Sequence, residues 1–207
     1  MQDFETPDSD DAAPYWPRAS DKTFVETAPF RGAWAASATD ERLFRMIKGF
    51  HEAGDLLVFE CNAEPRRALN LLFPLIFSYR QSLELRLKYL IMAYGPLTNE
   101  APDFRKHGLR DLFAKCRRII LFFGTAIGDA DREALDAVEA RITEFDAIDP
   151  GSDAFRFAHD SKGQPIKLGV SEIDLSNLKT VVASLHNFLE CVDLQFRHGY
   201  GITPCQP

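Results

Sequence analysis

Residues 66–94 read RRALNLLFPLIFSYRQSLELRLKYLIMAY, with apolar side chains at 69, 72, 76, 79, 83, 87, 90 and 94. Steps of three and four residues put those positions on one stripe of an α-helix. At about 1.5 Å per residue the helix would be on the order of 40 Å long, an axis on which the rest of the chain can pack. Gly95-Pro96 marks its end, Gly95 as a left-handed cap and Pro96 as a residue that cannot continue a helix. Pro74 lies inside the run and removes one intrahelical hydrogen bond, which predicts a kink near 70–74 or a split into two helices.

Upstream, Ser37 or Thr39 can cap a helix with Asp40 and Glu41 in its first turn. Leu43, Phe44, Ile47, Phe50, Gly54 and Leu57 line its inner face as far as about Cys61. The break at 62–65 ends on Pro65, tolerated where the next helix starts. Residues 1–36 begin with Asp3, Glu5, Asp8, Asp10 and Asp11 and carry Pro7, Pro14 and Pro17, the composition of a flexible acidic arm. Tyr15, Trp16, Phe24, Phe30 and Trp34 imply that its later half docks on the folded body.

Downstream, a third helix is expected from about His107 to Phe122, with Leu109, Leu112, Phe113, Cys116, Ile119 and Ile120 inward. Its other face is basic, with Arg105, Lys106, Arg110, Lys115, Arg117 and Arg118. A fourth helix, from Asp129 or Asp131 to Phe145, buries Leu135, Val138, Ile142 and Phe145. It is acidic, with eight carboxylates between Asp129 and Asp149. Complementary basic and acidic helices can meet within one chain or across two. Asp149-Pro150-Gly151-Ser152 is a helix stop. Beyond it, the turn DSKG at 160–163 joins two short extended pieces, 154–157 and 165–168. A fifth helix starts at Asp174 or Ser176 and ends at Gly199 or Gly201, leaving 201–207 as a tail. The fold class is all-α: a domain of residues 37–200 built as an antiparallel bundle of four to five helices, with a long central helix and an irregular loop or short hairpin near 150–172.

Composition narrows the function classes. A chain of 207 residues with 45% apolar side chains can fill one sizeable core. A net charge of -7 argues against generic adhesion to nucleic acid or to an acidic membrane. Cys61, Cys116, Cys191 and Cys205 show no zinc spacing, and the three in helices read as buried free thiols. No metal or cofactor is expected. The start MQDFETPDSDDAAPYW is acidic and unlike a signal peptide, and the apolar run at 69–77 is too short to span a bilayer. The expectation is a cytoplasmic protein without membrane partners.

Phosphate-loop, dinucleotide, GxSxG and HExxH motifs are all missing from the sequence. Three weaker constellations remain. Tyr79, Arg80, Glu84 and Lys88 form a ladder of alternating charge, either a solvated face or a polar cluster facing a groove. His107, at the start of the third helix, either packs locally or joins that groove, where the helix dipole disfavours its protonation. Phe155-Arg156-Phe157 precedes His159 and Asp160. If extended, it places both rings on one side and the guanidinium on the other. Arg156 then either pairs, buried, with a helix carboxylate such as Glu84 and locks the loop down, or anchors a phosphate or carboxylate ligand.

Tyr79, Glu84 and Lys88, then His107, Leu109 and Leu112, then Phe155-Arg156-Phe157, taken in that order, resemble bacterial HEPN-like domains over roughly residues 40–198. The resemblance implies an all-α bundle, commonly dimeric, of the kind found in toxin–antitoxin and phage-defence systems. Many members are metal-independent ribonucleases that pair Arg-x4–6-His motifs across a dimer. Here that spacing occurs only at Arg45 and His51, on the first helix, with Met46 where active members carry a polar group. The reading is therefore a non-catalytic, homo-oligomeric binding module that holds a partner protein, RNA or nucleotide. Tyr79, Arg80, Glu84, Lys88, His107 and Arg156 line or brace its groove. The alternative is a ribonuclease that uses Arg45 with His51, or Arg156 with His159, as its catalytic pair.

Overall fold

The computed structural model describes residues 20–25, 39–124, 128–199 and 201. The chain divides into two compact units, Met1–Ser37 and Ala38–Pro207. Of the first, residues 20–25 are described; they form neither helix nor strand, and Phe24 and Val25 are exposed. The expected docking of the other arm aromatics, the turn at 125–127 and the tail at 202–207 lie outside the described residues.

The second unit is all-α. Its helices are α1 (Thr39–Ala63), α2 (Ala68–Tyr94), α3 (Leu109–Phe122), α4 (Asp129–Ile148) and α5 (Leu175–Leu194). Short 3-10 turns at Pro65–Arg67 and Gly95–Thr98 flank α2, and a π turn, Gln195–Gly199, extends α5. Among the described residues there is no strand, only an isolated bridge between His159 and Pro165. Packing centres on α2, which runs along α1 and also contacts α3 and α5, while α4 rests on α3 and touches α5.

The amphipathic helices follow their sequence. Leu109, Leu112, Phe113, Cys116, Ile119 and Ile120 are buried along α3, and Leu135, Val138, Ile142 and Phe145 along α4. Asp174 accepts the amide of Asn177 and so caps α5, supplying an acceptor to a backbone donor without a helical partner. Gly54 of α1 lies where a Cβ would come within 2.4 Å of the Tyr79 ring, so glycine sets the α1–α2 approach.

The central helix departs from its expected form in several ways. It runs through Pro74 as one element rather than splitting, and the Pro74 carbonyl accepts the Ser78 hydroxyl at 2.7 Å. Leu69, read as part of the inner stripe, is 81% exposed, whereas Leu72 is partly buried against the core and full burial begins at Leu75. Gly95 is not a left-handed cap: its φ is -57, and Asn99 takes the left-handed conformation at φ 59. Glycine is required at 95 because a Cβ would lie 2.2 Å from the Glu100 carbonyl oxygen.

The largest departure concerns polarity. A helix expected to show one outer charged face is buried nearly all round, with Arg80 0%, Glu84 2% and Arg86 7% exposed. Two further expectations also fail. Cys191 is exposed, unlike the buried Cys61 and Cys116, because it faces away from the Leu189 and Val192 side of α5. Residues 154–157 are not extended: Asp153 O accepts from both Arg156 N and Phe157 N, closing a turn.

Candidate functional site

Charges taken out of water need partners, and around Arg80 each guanidinium nitrogen finds one, while Asp149 Oδ2 has an ion contact to Arg80 but no hydrogen bond. Arg80 Nη1 donates to Glu84 Oε2 at 2.9 Å, Nη2 to the His107 carbonyl at 2.8 Å, and Nε to the Asp149 carbonyl at 3.2 Å. The Asp149 carboxylate also lies 3.2 Å from Nε. The second Glu84 oxygen receives Lys88 Nζ at 2.8 Å and His107 Nδ1 at 2.9 Å. A carboxylate only accepts, so Nδ1 of His107 carries a proton. Lys88 also reaches the Phe104 carbonyl at 3.0 Å, and Asp149 Oδ1 accepts the Asp153 and Ala154 amides at 2.7 and 3.0 Å. Burial pushes the Glu84 carboxyl up, but hydrogen bonds from Lys88, His107 and Arg80 outweigh it and hold the group below the usual range. The cluster clamps the 104–108 connection and the 149–154 turn onto α2.

The structure therefore joins Arg80, Glu84, Lys88 and His107 but fills the space between them with their own side chains. Arg156 is elsewhere. The buried arginine paired to Glu84 is Arg80, whereas the half-buried Arg156 donates through Nη2 to Asp153 Oδ1 at 3.0 Å and through Nε to the Ser152 carbonyl at 2.5 Å. Its guanidinium lies 5.8 Å from the Phe77 ring centre and 5.1 Å from that of Phe157. Because the segment turns, Phe155 is 5% and Phe157 55% exposed, not together on one side. Phe73, Phe155, Arg156, Phe157, Ile166 and Leu168 line an open cleft of about 350 Å³.

Within one chain neither candidate pair is in contact. Arg45 is exposed and held by Glu41, and six residues of helix set His51 about 120° around the axis from it. His159 is exposed in its bridge to Pro165, and no hydrogen bond or ion pair links it to Arg156. Tyr79 is fully buried and donates to Asp55 Oδ1 at 2.6 Å; burial, then this bond, raises its phenol far above the usual range.

Around Tyr79 lies a polar cluster that sequence reasoning missed. His51 and Asp55 of α1, Ser82 and Arg86 of α2, and His186 of α5 converge there. The two imidazole centres are 4.4 Å apart. Ser82 Oγ is 2.7 Å from the Tyr79 carbonyl and 2.8 Å from His186 Nε2. Since the hydroxyl has one proton, committed to the carbonyl, His186 Nε2 is the donor to Ser82. That polarity is the opposite of a nucleophile activated by a base. Burial first, then His51 and Arg86, depress His186 to about 3. His51 Nδ1 and Arg86 Nε are buried without hydrogen-bond partners. The available signal was polar residues at helical spacing inside apolar faces: 51 with 55, 79 with 82 and 86, and 186 amid Val182, Leu185 and Leu189.

A third buried group joins Tyr89, Tyr94 and Arg197 to Asp193. Tyr94 donates at 2.5 Å, Tyr89 at 3.1 Å, and Arg197 Nε at 3.1 Å, fixing the π turn against α2. The basic α3 and acidic α4 also meet within the chain, Arg117 pairing with Asp136 at 2.6 Å and Glu139 at 2.9 Å.

Among the described residues, no group of three or more His, Cys, Asp or Glu could hold a metal, and no helix is long and apolar enough to cross a membrane. Comparison with protein-family models, with curated proteins and with solved structures finds no match.

Proposed function

We propose that this chain is a HEPN-like helical interaction module, dimeric and non-catalytic, that docks a partner protein through the cleft beside Arg156. One observation carries the reading. The charged side chains on α2 are turned on one another, whereas Phe73 and Phe157 stay 44% and 55% exposed around an arginine stacked on aromatic rings. Aromatic and arginine side chains at a concave surface are the residues that dominate protein–protein binding energy. Leu56 and Phe59 of α1, 66% and 67% exposed, offer a separate apolar face for a second copy of the chain. The defence or toxin–antitoxin setting rests on the resemblance alone.

The test is quantitative capture from a native extract with wild-type and Phe157→Asp baits, with total tRNA incubated beside both in EDTA. The reading expects a protein retained by the wild type and lost by the variant, with the tRNA intact. Identical capture by both baits refutes the docking site. Cleavage that disappears in His51→Ala or His159→Ala would establish the ribonuclease instead. Light scattering after size exclusion checks the dimer, which Phe59→Asp should dissociate.

A further inference from the structure

A second cleft lies on the far side of Phe155, and we propose that it binds a small organic cation, an aliphatic or aromatic body carrying a protonated amine. Its volume is about 230 Å³, and its floor is Ile76 of α2, Phe145 of α4 and Phe155. Val181 of α5 and Ile173, on the chain leading into that helix, complete the apolar wall. Cavities of about 150 Å³ take up benzene, so an aromatic ring with a short side chain fits this one.

The sign of the ligand's charge follows from the rim. Glu144, Glu172 and Asp174 face one cation, Arg141, whose guanidinium is already 2.8 Å from Glu144. Among the described residues Glu172 has no ion pair; Glu144 is paired with Arg141 and Asp174 caps α5, so the formal rim charge of -2 is carried outward chiefly by Glu172. The helix ends do not decide the sign: the negative end of the α4 dipole is met by Arg80, whose Nε donates to the Asp149 carbonyl at 3.2 Å. The positive end of α5 on the opposite wall is already met by the Asp174 cap. An ammonium group at the mouth gains from the rim charge, a carboxylate is repelled by it, and a neutral analogue keeps only the apolar contribution.

The experiment is a two-dimensional NMR titration of the whole chain with 2-phenylethylamine, 2-phenylethanol and 3-phenylpropionate at neutral pH. The amine should shift residues of the cleft saturably and bind about tenfold more tightly than the carboxylate. Glu172→Lys, on the exposed rim, should abolish or reverse that preference while leaving the spectrum elsewhere unchanged. Val181→Trp should fill the cavity and remove all binding. Failure of the amine to saturate, equal binding of amine and carboxylate, or undiminished binding in Val181→Trp would each overturn the proposal.

Discussion

Two arginines of similar surroundings in the sequence have opposite fates in the fold. Arg80 is fully buried, bonded to Glu84, the Asp149 carbonyl and the His107 carbonyl, and Glu84 is bonded in turn by Lys88 and His107. Arg156 is half-exposed, paired to a neighbour three residues away, and flanked by rings that water can reach. The first arrangement fixes loops to a helix, and removing any member strands charge in a dry place. The second costs the fold little if altered and presents side chains suited to binding. Saturation marks the structural group, and open valence at the surface marks the candidate contact.

The largest effect should come from the centre of the saturated group. Glu84→Leu leaves Arg80 and Lys88 without their shared acceptor, and should destabilise by about 3–5 kcal/mol, measured by urea unfolding. A cost near zero would mean the cluster is as replaceable as a surface ladder.

The His51–His186 cluster lies between the extremes, buried yet incompletely bonded, and pH should reveal it. His186 titrates near 6.5 when unfolded and at about 3 when folded, so the unfolded chain binds the extra proton between those values. Stability is then fully present above 6.5 and is lost progressively as pH falls toward 3. Glu84, lowered from 4.5, adds its own loss only below that value. Between pH 6.5 and 5 the slope therefore belongs to histidine, and His186→Gln should flatten it in urea titrations at stepped pH.

His107 sharpens the comparison from inside the saturated group, since half of its ring reaches solvent. His107→Ala removes one of three donors to Glu84 and should cost about 1–2 kcal/mol, visible as a shift in unfolding midpoint. The smallest effect belongs to the surface pair. Arg156→Ala should change stability by less than about 1 kcal/mol and should weaken partner capture without altering the far-ultraviolet spectrum.

The sequence made α3, α4 and α5 legible because each buries one face, so apolar spacing reads directly as packing. It marked Arg80, Glu84 and Lys88 as a set through their i, i+4 spacing. Periodicity says nothing about loops, however, and it is the 104–108 and 149–154 segments that bury the set. The choice of Arg156 over Arg80 as the partner of Glu84 failed for that reason: it assumed an extended 154–157, where Asp153 and its carbonyl close a turn. The meeting of His51 with His186 was hidden for another reason. The two come from helices far apart in sequence, and each is a single polar residue in an apolar stripe, so their contact is legible only once α1 and α5 are placed against α2.

The central claim is that Arg80 holds the fold together and Arg156 does not, and the same substitution at both positions tests it most directly. Urea unfolding of Arg80→Met and Arg156→Met should give losses of about 3–5 kcal/mol and below about 1 kcal/mol, respectively. Equal losses, or a larger one at Arg156, would contradict the account.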